Sequence, residues 1–411
     1  MKEINTLDDF DFQDRTVLLR VDINCPLDRE TLRIVNDARI RRISQTVSEL
    51  LSRRCKLVII AHQSRRGKWD FTSLEEHAQR LSRHISREVA FVEDVIGPKA
   101  LEAIKDLGPG QVLMLDNVRV LDCETEKRPM EEHAESVLVR TLAPLADYYV
   151  CDAFGAAHRS QCSLVGFQAV LPSAAGRLMA KELFTLKGLF DDPRRPSVFI
   201  IGGAKFGDAI KMVDNVLRRG KADTVLLTGL AGNAFLKARG VHLGDASEAA
   251  LSEELTEENL EAARKALRDH GPRIILPVDV AVDDDGRRDV QVGDLPDASP
   301  VLDIGPRSVE KFGRVIRAAG TSFMSGPAGL YEKDGFGEGT RGLMLAMIEG
   351  GGRSVVGGGH TVGAAEGFDL SDRFSYVSTA GGALETFLLG KPLPVVEALK
   401  HACRRGMDKI E

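Results

Sequence analysis

Short runs of aliphatic and β-branched residues alternate with longer amphipathic stretches along the whole 411-residue chain. The predicted strands of the first half are "TVLLRVDI" (16–23), "KLVIIA" (56–61), "VAFV" (89–92), "QVLML" (111–115) and "DYYVC" (147–151). Those of the second half are "SVFIIG", "DTVLLTG", "RIILPVDV", "TSFMSG", "RSVVGG" and "FSYVS". Amphipathic helices are predicted between them, for example over 39–54 and 131–146. Near-continuous apolar strands separated by helices predict an α/β protein with two doubly wound parallel-sheet domains.

The join between the two domains is predicted at residues 172–196. This segment has apolar residues at helical spacing in its middle and ends in a Pro-rich, charged turn. We therefore expect a first domain over 1–171, a helix and linker over 172–196, and a second domain over 197–391. Residues 392–411 follow the last predicted helix and either cap the second domain or cross back to the first.

Glycines follow the strands of the second half, as in "IIGGAK", "MSGPAG" and "VVGGGH". Ligands of open parallel sheets bind outside the carboxyl ends of the strands. Successive backbone amides at a strand-to-helix turn form an anion pocket, and glycine lets a phosphate approach closely. Lys205 adds an ammonium group after the first of these turns. The pattern predicts phosphate binding, although it matches neither G-x-x-x-x-G-K-[ST] nor G-x-G-x-x-G.

Cationic and polar side chains follow the strands of the first half. They are Asp22 and Asn24 after the first strand, Arg39 at the next helix, His62 and Arg65 after the second strand, and Arg119 and Arg159 after later strands. Arginine offers a rigid fork of donors to carboxylate and phosphate oxygens, so several converging forks predict a polyanionic small molecule as the ligand. Two anion sites favour group transfer, and phosphoryl transfer needs positioning and charge stabilisation above all.

Composition narrows the function further. The formal net charge of −6 argues against coating of nucleic acid or of a membrane surface. Six cysteines without a C-x-x-C pair argue against a zinc site, and we expect them to be reduced thiols. No apolar run approaches the ~20 residues of a membrane span, and the amino terminus lacks the layout of a secretory signal. We therefore expect a cytoplasmic protein that acts on small molecules.

At these residues the chain resembles phosphoglycerate kinases, most closely the archaeal-type branch. The resemblance runs in order through "LLRVDIN", "DARIR", "AHQSRRGKWDF", "LDNVRV", "CDAFGAAHRSQCSLVGF", "IGGAKFGDAI", "SGPAGLYE", "GGGHT" and "STAGGALETFLLGKPLP". It implies two Rossmann-like domains joined by a helix and hinge, with residues 392–411 packed back on the first domain. It also implies reversible phosphoryl transfer between 1,3-bisphosphoglycerate with ADP and 3-phosphoglycerate with ATP, in glycolysis and gluconeogenesis. The implied enzyme is a monomer that uses Mg²⁺ and closes about its hinge.

The resemblance also assigns roles to residues. For phosphoglycerate binding it implies Asp22, Asn24, Arg39, His62, Gln63, Ser64, Arg65, Arg119 and Arg159. For nucleotide binding it implies Gly203, Lys205, Glu332, Gly358, Gly359, His360 and Thr361, with Glu332 near the ribose. For catalysis it implies Arg39, Lys205, Gly359 and Gly382, with Arg39 supporting the migrating phosphoryl group and Gly381 beside Gly382. From the residues alone, Glu332 is better explained as a solvated loop acid.

Three departures from the common family pattern lie in the second half of the chain. Ala209 stands where many members have a second lysine, and Ala380 stands where a glycine is usual. His360 stands where much of the family has an aspartate near the metal–nucleotide complex. Because imidazole suits Mg²⁺ poorly, His360 either donates to a phosphate or only caps the helix. The metal ligand therefore remains unknown, with Asp208 as a candidate.

Three alternatives to an active kinase arise. A relative that binds both ligands with weakened catalysis is suggested by Ala209 and Ala380, because loss of a desolvated cation weakens transition-state stabilisation. A nicotinamide-dependent dehydrogenase is disfavoured because the dinucleotide fingerprint is missing. A non-enzymatic scaffold is disfavoured because it has no need of cations and glycines at matching strand ends.

Overall fold

Two six-stranded parallel sheets form the framework of the chain. The computed structural model describes residues 3–203, 205–378 and 380–407. The chain divides into a first unit of Met1–Phe184 with Pro392–Glu411 and a second unit of Thr185–Lys391. The predicted α/β class, with two doubly wound parallel-sheet domains, is confirmed.

The sheet of the first unit has its strands in the order β3–β4–β2–β1–β5–β6. Its strands are β1 (Thr16–Val21), β2 (Lys56–Ile60), β3 (Ala90–Val92), β4 (Val112–Leu115), β5 (Tyr148–Asp152) and β6 (Ser173–Ala175). The chain places β2, β3 and β4 on one side of β1 and then crosses to β5 and β6 on its other side. The loops after β1, β2 and β5 therefore meet at the switch in strand order, where open α/β sheets bind their ligands.

The helices of the first unit differ from the prediction at one place. They are α1 (Ala38–Ser52), α2 (Glu75–Ile85), α3 (Pro98–Asp106), α4 (Met130–Ala134) and α5 (Val137–Leu142). The helix α1 buries Ile40, Ile43 and Val47 against the sheet, as its apolar spacing predicts. The single helix predicted over 131–146 is wrong, because the Ser136 hydroxyl accepts a hydrogen bond from the amide of Val139 and starts a second helix.

The second unit contains one parallel sheet and one small antiparallel sheet. Its strands are β7 (Ser197–Ile201), β8 (Thr224–Leu227), β9 (Ile274–Ile275), β10 (Asp279–Asp283), β11 (Arg287–Gln291), β12 (Val301–Ile304), β13 (Thr321–Ser325), β14 (Arg353–Gly357) and β15 (Tyr376–Ser378). The parallel sheet has the order β15–β14–β13–β7–β8–β9, so its connections reverse between β7 and β13. The glycine-rich turns after these two strands therefore lie side by side.

The antiparallel sheet, in the order β11–β10–β12, corrects the prediction of one strand from "RIILPVDV". In the structure β9 takes the first part of this run and β10 takes the last. Pro277 lies between the two strands, where its missing N–H prevents continuous pairing. A run that reads as one strand is thus shared between two sheets.

The remaining helices include the element that spans the two units. They are α6 (Arg177–Phe190), α7 (Phe206–Arg218), α8 (Gly229–Ala238), α9 (Asp245–Ala249), α10 (Glu257–His270), α11 (Pro306–Arg317), α12 (Glu338–Glu349), α13 (Gly359–Gly367), α14 (Gly381–Leu388) and α15 (Pro394–Met407). Residues 172–196 contain β6 and α6, and the division between the units falls within α6. The helix α15 belongs to the first unit, where the amide of Val395 donates to the carbonyl of Ala157 at 3.3 Å.

Candidate active site

In the first unit, Asp22 and Arg39 form an ion pair at the end of β1. Nη1 of Arg39 donates to Oδ2 of Asp22 at 2.7 Å, and the Arg39 side chain stays 39% exposed. A Cβ on Gly155, in the loop after β5, would lie 2.5 Å from the same carboxylate oxygen. Glycine is therefore required where this loop approaches the pair, and the guanidinium of Arg39 is anchored on one side and open on the other.

Three other predicted ligands, Asn24, Gln63 and Ser64, are engaged within the protein. Oδ1 of Asn24 accepts the amide of Ser64 at 2.8 Å. The Gln63 amide, fully buried, accepts from the backbone N–H of Cys25 and donates to its carbonyl, both at 2.9 Å. The Ser64 hydroxyl donates to Asp70 at 2.5 Å, and its φ of +54° lies in the left-handed region. These side chains fix the loop that presents His62 and Arg65.

His62 is buried next to Arg20, a residue that the sequence analysis did not select. Nη2 of Arg20 lies 2.9 Å from Nδ1 of His62. Burial and the surrounding arginines hold the pKa of His62 well below its usual range. Because a guanidinium only donates hydrogen bonds, Nδ1 of the neutral imidazole is the acceptor and Nε2 carries the proton. The signal in the sequence was a charged residue inside the apolar run "TVLLRVDI".

The arginines of the first unit repel one another. Burial and the charge of Arg159 lower the pKa of Arg119 to about 10. Arg119 donates to the carbonyl of Ser64, while its buried Nε has no hydrogen-bond partner within the described part of the chain. Burial also lowers the pKa of Arg159, and the charges of other arginines, including Arg65, lower it further. The charge of Asp22 partly offsets this shift. Crowded guanidinium groups of this kind are stabilised when an anion binds among them.

In the second unit, three of the glycines after strands are needed for packing. A Cβ on Gly202 would lie 2.3 Å from the carbonyl oxygen of Pro327, and one on Gly229 would lie 2.7 Å from it. A Cβ added to Gly326, whose φ is +90°, would lie 2.3 Å from the backbone of Gly202. The turns after β7, β8 and β13 therefore pack backbone against backbone, and these glycines are explained without a ligand.

Three other glycines face open space. A Cβ on Gly203, Gly359 or Gly381 would meet nothing within 4 Å among the described residues outside its immediate neighbours. Gly203 has a φ of +99°, and Gly359 and Gly381 begin α13 and α14. Helix N-termini and exposed amides next to empty space suit phosphate oxygens. Gly382 is the second residue of α14, where its carbonyl accepts the hydroxyl of Thr386 at 2.8 Å.

The polar residues of the phosphate turns have different surroundings. Thr361 is fully buried, and its hydroxyl accepts the amide of Gly326 at 2.8 Å, so it joins two turns. His360 is 82% exposed, and its Nδ1 lies 3.8 Å from the Glu332 carboxylate. The interpretation of His360 as a helix cap is wrong, because Gly358, with φ of +92°, occupies the N-cap position and no side chain caps the helix.

Lys205, Asp208 and Glu385 form a second charged group in this unit. Lys205 is the exposed N-cap residue of α7, and Asp208 lies in its first turn. Burial and a hydrogen bond with Asp208 raise the pKa of Glu385, while Lys205 and Lys391 oppose the shift. Ala209 is 3% exposed and packs in the core beside this group. Sequence reasoning missed Glu385 and Lys391, since a single charged residue within or just after a helix carries no pattern.

No group of three or more metal-ligating side chains occurs among the residues that the structure describes. The same part of the chain contains no helix that is both long and apolar enough to cross a membrane.

Comparison with known proteins identifies the chain. The family model described as phosphoglycerate kinase matches residues 7–391. The phosphoglycerate kinase of Methanothermus fervidus is 42% identical over 407 residues, which cover 99% of each chain. That of Methanothermobacter thermautotrophicus is 44% identical over 401 residues, which cover 97% of each chain.

Solved structures agree with these matches. The crystal structure of phosphoglycerate kinase from Pyrococcus horikoshii OT3 has a TM-score of 0.90 and 35% identity, covering 98% of this chain and 100% of the other. The enzyme from Coxiella burnetii has a TM-score of 0.83 and 30% identity, covering 96% and 98%.

The fold and these matches define a phosphotransferase with two α/β domains. The chain belongs to the phosphoglycerate kinase family, and its resemblance to the archaeal-type branch is confirmed. Its activity is reversible phosphoryl transfer between 1,3-bisphosphoglycerate with ADP and 3-phosphoglycerate with ATP. The matches offer no support for a relative with weakened catalysis.

Proposed function

We propose that the first unit binds phosphoglycerate through its arginine cluster, defined as Arg39, Arg65, Arg119 and Arg159, together with His62. The observation that carries this proposal is the mutual repulsion of these cations around the buried imidazole, which a phosphorylated carboxylic acid relieves. Nε2–H of His62 is the donor available to the ligand. Asn24, Gln63 and Ser64 position the loop and do not need to contact the substrate.

Arg39 is proposed to stabilise the transferred phosphoryl group. It is partly exposed, while Asp22 anchors one side of its guanidinium. Transfer breaks the bond between phosphorus and the carboxylate oxygen of 1,3-bisphosphoglycerate and forms one to a terminal oxygen of ADP. Both oxygens are anionic when they leave or attack, so charge stabilisation contributes more than proton transfer.

The second unit is proposed to bind ADP and ATP at its open glycines. Gly203, Gly359 and Gly381 present backbone amides to phosphate oxygens, and Lys205 adds a positive charge. The exposed His360 is proposed to donate to a phosphate, with Glu332 nearby for a ribose hydroxyl. Hinge closure is proposed to bring donor and acceptor together and to exclude water.

Mg²⁺ is proposed as the cofactor, and the available donors fit it. Mg²⁺ is commonly held by one or two carboxylates and substrate phosphates. Asp208 and Glu385 provide two carboxyl groups that already share a hydrogen bond beside Lys205. Bound with the nucleotide, Mg²⁺ neutralises phosphate charge. We propose further that the enzyme acts as a monomer in the cytoplasm.

The substitution Arg39→Ala tests this assignment. We expect kcat in a coupled assay with 3-phosphoglycerate and ATP to fall at least about a hundredfold, because a transition-state donor is lost. ATP affinity, measured by calorimetry, should be unchanged. The control is Arg41→Ala, two residues further along α1 and about 200° around the helix, which should retain full activity. Near-normal turnover of Arg39→Ala would refute the proposal.

A further inference from the structure

Cys123 and Cys162 bring two sulfur atoms together beside the arginine cluster. Their Sγ atoms lie 3.4 Å apart, although 39 positions separate the residues. Cys123 follows Arg119 in the segment after β4, and Cys162 follows Arg159 in the loop after β5. Both cysteines are free thiols. The two segments that carry these arginines therefore meet through a pair of thiols.

The two thiols differ in exposure and in charge state. Cys162 is buried, and its S–H has two acceptors, the Cys123 sulfur and the Glu124 carboxylate at 3.2 Å. The hydrogen bond from Cys162 lowers the pKa of the partly exposed Cys123 thiol. The same contact, together with burial and Glu124, raises the pKa of Cys162. Cys123 is thus the more accessible and more acidic of the two thiols, and Cys162 keeps its proton beside a carboxylate that can accept it.

We propose that Cys123 and Cys162 form a reversible disulfide that weakens phosphoglycerate binding by the first unit. The oxidant is a low-molecular-weight disulfide. The Cys123 thiolate attacks it, forms a mixed disulfide and releases one small thiolate. Cys162 then passes its proton to Glu124 and attacks the Cys123 sulfur, which releases the second thiolate. The two protein thiols are oxidised, the small disulfide is reduced to two thiols that take up the two protons, and a dithiol reverses the exchange.

Glu124 connects the thiol pair to His62. Its carboxylate accepts the hydroxyl and the backbone amide of Ser163 at 2.6 and 2.9 Å, and lies 3.7 Å from Nη2 of Arg20. Arg20 in turn donates to Nδ1 of His62 at 2.9 Å. The side chains of all four residues are buried, so a change at Glu124 is weakly screened by solvent.

Disulfide formation changes this network directly. The sulfur atoms must approach to about 2.0 Å, so they move toward each other by more than about 1 Å and pull on the segments of Cys123 and Cys162. Glu124 loses the S–H that it accepted from Cys162. Because Arg119 and Arg159 lie on the same two segments, their guanidinium groups move with them. This consequence rests on the proposed binding of phosphoglycerate to the first unit.

The test compares reduced protein with protein treated with oxidised glutathione under native conditions. Peptide mapping by mass spectrometry should find one disulfide, between Cys123 and Cys162, and free thiols should fall from six to four. The KM for 3-phosphoglycerate should rise at least about fivefold, with the KM for ATP unchanged. Dithiothreitol should restore the six free thiols and the original KM for 3-phosphoglycerate.

Two variants provide the controls. Cys123→Ser should keep its activity and be insensitive to oxidised glutathione, whereas Cys55→Ala, altered at a buried cysteine before β2, should respond like the unaltered protein. Should Cys123→Ser fold poorly, Cys162→Ser provides the same test. A circular dichroism spectrum of each variant establishes that it is folded.

Three results would overturn the inference. They are the absence of a Cys123–Cys162 linkage, a disulfide with no change in the KM for 3-phosphoglycerate although Arg39→Ala is inactive, and loss of activity of Cys123→Ser on oxidation. The mapping does not depend on where substrates bind, so a linkage without a kinetic effect, together with an active Arg39→Ala variant, would point to failure of the proposed function instead.

Discussion

Buried polar side chains around the loop after β2 carry consequences for stability. Nε2 of His77 donates to Oε1 of Gln63 at 3.1 Å, and Gln63 binds the backbone of Cys25. Nδ1 of His77 is buried without a hydrogen-bond partner in the described structure. Burial lowers the pKa of His77 to about 4, so the residue is neutral at pH 7. A positive charge on this ring has no solvent around it and no acceptor for a proton on Nδ1, so burial outweighs the opposing charge of Glu76.

This environment predicts acid-sensitive stability. Between its unfolded pKa of about 6.5 and its folded value of about 4, His77 binds a proton more readily in the unfolded state. Stability therefore falls as the pH drops from about 6.5 toward 4, by up to about 3 kcal/mol from this residue. In His77→Gln, which retains a donor to Gln63, the fall should be smaller by about that amount.

Urea unfolding at pH 7 and pH 4.5 provides the measurement for this variant. The exposed His401, replaced by Gln, serves as the control and should leave the pH dependence of the unaltered chain in place. An equal loss of stability in His77→Gln and the unaltered chain would contradict the prediction.

At the scale of elements, the second unit separates two uses of glycine. Gly202, Gly229 and Gly326 let adjacent turns approach, and their absent side chains would collide with the backbone. Gly359, at the start of α13, collides with nothing within 4 Å in the described structure. A glycine without a packing reason at a helix N-terminus is explained by close approach of a ligand.

The substitution Gly359→Ala tests this distinction. Alanine favours helix over glycine, so stability should be unchanged or rise by up to about 1 kcal/mol. The added methyl group should nevertheless raise the KM for ATP about tenfold, because it occupies space proposed for a phosphate. The control is Gly367→Ala at the other end of α13, about 12 Å away, which should leave the KM for ATP unchanged. A normal KM for ATP in Gly359→Ala would refute the phosphate role of this turn.

At the scale of the whole molecule, the last helix of the sequence packs with the first unit, far from its neighbours along the chain. Arg405 on α15 donates hydrogen bonds to the carbonyls of Ala169 and Leu171. The bond to Leu171 is 2.8 Å long and joins residues 234 positions apart. Burial lowers the pKa of Arg405. Loss of Arg405 removes a charged donor from both carbonyls, of which that of Leu171 keeps the hydroxyl of Ser173 at 2.8 Å. The lost hydrogen bonds are unfavourable where a carbonyl is shielded from water.

Arg405→Met should therefore lower the free energy of unfolding by about 1–3 kcal/mol, measured by urea unfolding of the full chain. Methionine preserves much of the apolar stem, so the change isolates the hydrogen bonds. The exposed neighbour Arg404, replaced in the same way, should alter stability by less than about 0.5 kcal/mol. Equal effects of the two substitutions would show that the hydrogen bonds contribute nothing.

Much of this organisation could be predicted because it depends on local patterns. Apolar runs predict the strands, and charged residues or glycines at their ends predict the edges of the sheets that bind ligands. The split of "RIILPVDV" and the break at Ser136 were missed because each is decided by a single residue, Pro277 or Ser136, within an otherwise continuous apolar pattern. The pairing of Asp208 with Glu385 was missed because it joins different helices.

The sequence by itself determined the fold class, the family and the residue types at the strand ends, since these follow from periodicity and from motifs. Only the tertiary structure decided which of those residues are free to meet a ligand. Gln63, Ser64 and Thr361 read as ligands but direct their polar groups to the protein, whereas Arg39 and Gly359 remain open. The reason is physical: a motif specifies what a side chain can bind, but its partners come from segments far apart in sequence.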